Sequence, residues 1–156
     1  ASDDATITSV IIHEIRKNNL FEKNIILLQV TSPLRSDNDI LDAVALFNTN
    51  KYNLVISIVE KDNKSLKFGT LEGQCFKSIN RPEYCFSNRQ SLPKLFAPNG
   101  AVYIFSARKF IDDGGFPTDN IGAIKMPIKR SVDIDNASDL KLAENFLRNH
   151  NLNEII

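Results

Sequence analysis

Apolar positions along the chain follow two rhythms, one at helical spacing and one in short unbroken runs. Ile7, Val10, Ile11 and Ile15 recur at intervals of three and four. They predict a helix that starts within Ala1-Ser-Asp-Asp4, with Ser2 or Asp3 as its N-cap, and ends at Asn18-Asn19. Ile25 to Leu28 are four consecutive aliphatic residues, a run that suits a strand buried on both faces, as in a parallel sheet covered by helices. Gln29, Thr31 and Ser32 then turn the chain polar, and Pro33 cannot continue a central strand. Ser36-Asp-Asn-Asp39 is a cluster of N-cap residues, and Ile40, Val44 and Phe47 predict a helix from about Asp39 to Phe47. Leu54 to Val59 is a second apolar, β-branched strand. Strand, helix and strand in so short a span predict a βαβ unit with a right-handed crossover.

Residues Glu60 to Pro98 break the rhythm, being polar and punctuated by Gly69, Gly73, Pro82, Pro93 and Pro98. Short extended pieces at Lys67–Phe68 and Gly73–Ile79 suggest a hairpin. A stretch this long without strong elements is usually functional or an interaction arm. Gly100 to Phe105 returns to a strand, Ser106 caps a short helix through Phe110 to Asp112, and Gly114-Gly115 releases it. Ile121 to Pro127 reads as another strand, and Arg130 to Asp135 as a short alternating segment. Asn136 or Ser138 then begins a helix with Leu140, Ala143, Phe146 and Leu147 inward, finishing near Asn149.

This pattern places a polar loop, Gln29 to Arg35, at the carboxyl end of a strand, where ligands bind in open α/β sheets. The duller alternative is an ordinary strand-to-helix connection. Asp133 and Asp135 flank Ile134; in a strand they would share a face, and like charges that close repel unless a cation sits between them or one is protonated. Equally, Asp135 could be a helix N-cap and Asp133 a surface residue. Lys67, Arg81, Arg89 and Gln90 are candidate contacts for an anion, or solvated side chains. His13 reads as a half-buried packing residue rather than a catalytic base.

Composition narrows the class. The 156 residues make one domain, 42% hydrophobic and 24% charged, which is ordinary for a globular protein. Nineteen basic and nineteen acidic residues leave no net charge, so bulk charge gives no support to nucleic-acid binding. Cys75 and Cys85 are the only cysteines and have no metal-ligand spacing, which fits two free thiols in the cytoplasm. No apolar run approaches the length needed to span a membrane.

Four motifs carry a resemblance. Gln29-Val-Thr-Ser-Pro-Leu-Arg35 resembles the QPTSPLR motif of the acylneuraminate cytidylyltransferases, the CMP-sialic acid synthetases, with Val30 where that family has proline. Arg89-Gln-Ser-Leu-Pro93 resembles its R-Q-x-L-P, and Asn99-Gly-Ala-Val-Tyr103 its N-G-A-[IV]-Y. Ser131-Val-Asp-Ile-Asp135, followed by Asp139 and Ala143-Glu144, resembles the ending S-[IV]-D-I-D-x-x-x-D-x-x-x-A-E. The order and spacing match the family's, over nearly the whole chain.

The resemblance implies an α/β fold, a Rossmann-like nucleotidyltransferase layered sheet, with a projecting dimerisation arm between about residues 60 and 92 and a homodimer as the assembly. It implies transfer of CMP from CTP to a nine-carbon sugar acid, by attack of the anomeric hydroxyl on the α-phosphorus and release of pyrophosphate. Gln29 would hydrogen-bond the sugar acid, and Lys67 and Arg89 would neutralise its carboxylate and the phosphate charge. Tyr103 and Phe116 would line an apolar wall for the acyl group, with Pro117 standing where the family often has a second aromatic. Asp133 and Asp135 would be the catalytic pair that holds Mg2+. The matched motifs add Ser32, Arg35, Gln90 and Asn99 to the substrate-binding set. The family also has a strand and a glycine-containing nucleotide loop before the point that matches Ala1. The chain therefore reads as the carboxyl-terminal two-thirds of such an enzyme, and alone it is expected neither to bind CTP nor to turn over. Without that segment the strand at Ile25 is expected to have an unpaired edge. Other readings remain open: a module that binds an acidic sugar or a partner and has lost the nucleotide, or an enzyme for another ulosonic acid.

Overall fold

The computed structural model describes residues 6–153, the side chains of 149–153 aside. The N-cap expected at Ser2 or Asp3 lies outside the described residues. Helix α1 spans Ile7–Lys17, capped by Thr6, whose side chain accepts from the Ser9 amide. Asn18 closes it, and Asn19 takes a left-handed φ of 52°. Ile11 and Ile15 are buried, whereas Ile7 and Val10 remain partly exposed. His13 is exposed rather than half-buried.

Four strands form one sheet: β1 (Asn24–Leu27), β2 (Leu54–Lys61), β5 (Leu95–Ser106) and β6 (Ile121–Lys125), in the order β1-β5-β2-β6. β1 pairs antiparallel with β5, from Asn24 against Ser106 to Leu27 against Tyr103. β2 pairs parallel with β6, from Leu54 against Ile121 to Ile58 against Lys125. The sheet is mixed. The apolar run at Ile25 therefore does not make a central strand buried on both faces. It makes a four-residue edge strand in which Ile26 is 45% exposed. The strands β1 and β2 that bracket the second helix are not neighbours, because β5 lies between them.

Helix α2 (Asp37–Phe47) connects β1 to β2 and packs against β6. Helix α3 (Ala107–Asp113) follows β5, capped by Ser106 and ended by Gly114 at φ 70°, and it meets α1. Helix α4 (Ala137–Asn153) runs four residues past the end expected from its apolar spacing. Two clusters make the core of this unit. Ile11, Ile15, Leu54, Phe105 and Phe110 form one, and Ala43, Val55, Val102, Ile104 and Met126 the other. Burying side chains of this size contributes ~1.5–3 kcal/mol each before the entropy cost.

Residues Val59–Ala97 cluster as a second compact unit. Within it, β3 (Gly69–Glu72) and β4 (Cys75–Ser78) form an antiparallel hairpin turned at Gly73, φ 61°. The hairpin lies a few residues from where the sequence suggested one. Leu66 and Leu92 are buried, but Phe68, Leu71, Phe76, Ile79 and Phe86 are exposed. Cys75 and Cys85 are both free thiols. No helix among the described residues is long and apolar enough to cross a membrane.

Candidate functional site

The polar loop after β1 is held by its own backbone carbonyls. Arg35 donates from Nη1 to Gln29 O at 2.8 Å and to Ser32 O at 2.7 Å. One guanidinium nitrogen thus pins both ends of the turn. Ser32 is fully buried and donates to Asn99 O at 2.9 Å, tying the loop to β5. Next along β5, Gly100 adopts φ 76°, and a Cβ there would collide with Gln29 Oε1 and Ser32 Oγ. Only glycine accommodates both the left-handed backbone and the approach of the Gln29 side chain.

Asn99 is the hub of a buried polar network. Its Oδ1 accepts from Ser57 Oγ at 2.5 Å, and its Nδ2 donates to Ser131 Oγ at 2.9 Å and lies 3.3 Å from Met126 Sδ. Ser57 Oγ in turn accepts from the Val102 amide at 2.8 Å. Every partner a buried amide needs is supplied. Both ends of the Asn99 side chain are thereby engaged within the protein.

The rings of Tyr103 and Phe116 lie against each other. Their ring centroids are 5.4 Å apart, and Phe116 meets Phe110 edge-on at 5.1 Å. Burial, and then the nearby charge of Asp133, push the Tyr103 phenol above its ordinary value. Asp133 therefore lies close enough to this pair for its charge to be felt there. Pro117 is fully buried beside it.

The segment that bears the two carboxylates is not a strand. A 3₁₀ turn, Ile128–Arg130, is followed by residues 131–134 without regular structure. The strand-based argument that Asp133 and Asp135 share a face therefore does not apply. What fixes the segment is tethering: the Ile134 amide donates to Thr31 O at 2.8 Å, bringing it onto the Gln29–Arg35 loop. Asn136, not Asp135, caps α4, accepting from the Ser138 and Asp139 amides at 2.9 and 3.2 Å. Asp139 completes the cap by accepting from the amides of Asp135 and Asn136. The carboxylates of Asp133 and Asp135 are both exposed, and neither serves as the cap. Among the described residues no group of three or more His, Cys, Asp or Glu is placed to hold a metal ion.

Thus Gln29, Ser32, Asn99, Tyr103, Phe116 and Asp133 gather at one end of the sheet. Lys67, Arg89 and Gln90 belong to the unit Val59–Ala97. There Lys67 Nζ donates to Ser87 O at 2.6 Å, and Arg89 is ion-paired to Asp62 at 3.4 Å. Arg89 and Gln90 border an open hollow with Asp62, Asn63, Lys61 and Lys94. Arg81 is exposed at the start of a 3₁₀ turn.

Sequence reasoning missed Ser57, Arg130 and the pairing of Arg130 with Asp39. The Ser36…Asp39 spacing is a capping-box signal visible in the sequence, and the box forms. Nothing local marks Arg130 as its partner, 91 positions away.

No protein-family model matches the chain. It is 31% identical over 144 residues to the N-acylneuraminate cytidylyltransferase of Escherichia coli O18:K1:H7, covering 92% of this chain and 34% of that protein. It is 31% identical over 116 residues to the protein of the same name from Streptococcus agalactiae serotype V, covering 73% of this chain and 28% of that protein. Over 126 residues it is 29% identical to post-translational flagellin modification protein B of Campylobacter coli, covering 80% of this chain and 53% of that protein. A CMP-N,N'-diacetyllegionaminic acid synthase of Legionella pneumophila is 26% identical, with 94% of this chain and 66% of that protein covered. The chain spans about half or less of the length of the first three of these relatives. Over the part of those relatives that it spans, the chain is similar to N-acylneuraminate cytidylyltransferases, at 31% identity across 73% to 92% of its own length.

Proposed function

We propose that the protein carrying this chain transfers CMP from CTP to a sialic-acid-like ulosonic acid. The observation that carries this reading is the seat of Gln29, pressed against a left-handed Gly100 on the strand that also bears Tyr103, whose ring meets Phe116. A polar amide and an aromatic pair presented by one strand suit a sugar that carries both hydroxyls and an acyl group. In the reaction the sugar's anomeric oxygen bonds to the α-phosphorus as the bond from that phosphorus to the pyrophosphate oxygen breaks. The hydroxyl proton passes to water as the new bond forms. Little covalent work falls to the protein, so positioning and charge neutralisation carry the rate.

Roles follow from what each side chain is already bonded to. Gln29 contacts the sugar, and Ser32, Arg35 and Asn99, turned inward by their own hydrogen bonds, hold the loop that presents it. Lys67, Arg89 and Gln90 supply donors to the sugar's carboxylate and to phosphate. Among the described residues Lys67 Nζ donates to Ser87 O and Arg89 pairs with Asp62, which leaves each of them further donors for an anion. Asp133 and Asp135 hold the divalent cation. Two exposed carboxylates suit Mg2+, a hard cation that takes oxygen donors and keeps much of its shell for water and substrate phosphate. When bound, it would neutralise charge on the reacting phosphates. The fold is the Rossmann-like layered sheet of a nucleotidyltransferase. The exposed residues Leu71, Phe76 and Ile79 of the hairpin unit form an arm contact in a cytoplasmic homodimer. The product serves polysaccharide biosynthesis.

A second reading keeps the chemistry and changes the sugar. Two relatives are named CMP-N,N'-diacetyllegionaminic acid synthase, and Pro117 gives the acyl wall a different shape from a second aromatic. The test is sugar-dependent release of pyrophosphate from CTP and Mg2+, with N-acetylneuraminic acid and N,N'-diacetyllegionaminic acid offered separately. Release with one of them, and a raised KM for that sugar alone in Gln29→Ala, is expected. Silence with both, from a full-length protein that binds CTP, would overturn the reading.

A further inference from the structure

We propose that Arg130 is a positioning residue for the cation site, acting through a clamp on the N-terminus of α2. The inference rests on the assignment of Asp133 and Asp135 as cation ligands.

The clamp is built around one oxygen. Asp39 Oδ2 accepts from the Ser36 amide at 2.7 Å while Ser36 Oγ accepts from the Asp39 amide at 3.4 Å, which is the capping box of α2, and Ser36 Oγ also donates to Asp39 Oδ2 at 2.8 Å. Arg130 Nη1 donates to that same oxygen, and to Ser36 Oγ at 2.8 Å. Asp39 is nearly buried, with 8% of its side chain exposed, and Arg130 is 26% exposed. An ion pair so sheltered keeps its geometry, unlike one held loosely at the surface.

Its placement gives it a consequence beyond α2. Arg130 ends the 3₁₀ turn, and the next five residues, 131–135, have no regular structure to place the two carboxylates. Among the described residues, side-chain and main-chain tethers do so instead. Arg130 anchors the segment's start to α2, Ser131 accepts from Asn99, Ile134 donates to Thr31 O, and the Asp135 amide donates to Asp139 Oδ2. Asp133 follows Arg130 by three residues, so loss of that anchor weakens the hold on the side that precedes it. Cation affinity, with two protein ligands, depends steeply on their mutual position. The Ser36–Asp39 box thereby does more than cap a helix: it registers α2 against the cation-binding segment.

The test is direct titration of Mn2+, followed by electron paramagnetic resonance of the free ion, on the full-length protein and its variants. Asp133→Asn is the reference and should abolish specific binding. Arg130→Met should weaken Mn2+ binding about tenfold or more. Arg130→Lys, which keeps the charge but not the fork, should fall between. The exchange Arg130→Asp with Asp39→Arg should recover part of the loss. Ala43→Gly, which lowers the stability of α2 away from the clamp, should leave Mn2+ affinity unchanged; Ala43 is buried and takes no part in it. If Asp133→Asn abolishes binding while Arg130→Met and Arg130→Lys bind as wild type, the clamp is overturned and the cation site stands. If Ala43→Gly weakens binding as much as Arg130→Met, general destabilisation explains the effect and the clamp is again overturned. If the wild type binds no Mn2+, or Asp133→Asn binds normally, the cation assignment itself fails and the clamp fails with it.

Discussion

Gly100 shows how tightly the loop after β1 is specified at the scale of one residue. Its φ of 76° lies where a side chain is strained, and the space a Cβ would need is taken by Gln29 Oε1 and Ser32 Oγ. Gly100→Ala should therefore destabilise the fold by ~1–3 kcal/mol, read from denaturant unfolding. In the full-length enzyme it should also raise the KM for the sugar, because Gln29 is the side chain displaced. Unchanged stability would mean that the loop yields freely. Asp133→Asn or Asp135→Asn should remove Mg2+-dependent turnover while leaving the unfolding curve in place, since both carboxylates are exposed and neither caps α4. Near-normal turnover at ordinary Mg2+ would remove the pair from the site. How the segment that bears them is held was not legible in the sequence. An alternating stretch reads as a strand, whereas here a 3₁₀ turn and a main-chain bond to Thr31 set the geometry.

Among the elements, α2 is the one whose stability depends most visibly on charge. Burial pushes the Asp39 carboxyl up. Bonds from the Ser36 amide, Arg130 and the Ser36 hydroxyl, with the Arg130 charge, outweigh this and hold it below its ordinary 3.8. A carboxylate depressed by folding contributes stability that is fully present above its unfolded value and is lost as pH falls through the folded one. The chain should thus lose stability below about pH 4, and Asp39→Asn should remove that part of the acid limb. The same variant should cost ~1–3 kcal/mol at neutral pH by leaving Arg130 without its anion, as measured by thermal melting at both pH values. An acid limb unchanged in Asp39→Asn would contradict the assignment. Helix α2 was legible because caps and apolar spacing are local signals. The Ile25 run by itself suggested burial on both faces, because four aliphatic residues in a row do not reveal whether a strand has neighbours on both sides; its open edge was expected only from the family resemblance. In the structure it has β5 alone among the described residues, and a face of Ile26 is left open.

That open edge governs the behaviour of the 156-residue chain as a whole. Among the described residues β1 pairs with β5 alone, and Ile26 on its open side is partly exposed. Such an edge is a template for another strand, and a charged residue placed on it opposes pairing. The hairpin unit carries its own exposed apolar residues, Leu71, Phe76 and Ile79, so two kinds of self-contact compete. Sedimentation equilibrium separates them. The chain should associate in a concentration-dependent way, and Ile26→Lys should weaken this by about tenfold, or ~1.4 kcal/mol, without changing the unfolding midpoint. Leu71→Lys should weaken only what remains. If Ile26→Lys leaves association untouched while Leu71→Lys abolishes it, the edge takes no part and the hairpin alone joins the copies. The opposite result, association lost with Ile26→Lys and unaffected by Leu71→Lys, would make β1 the surface through which the chain finds its next strand.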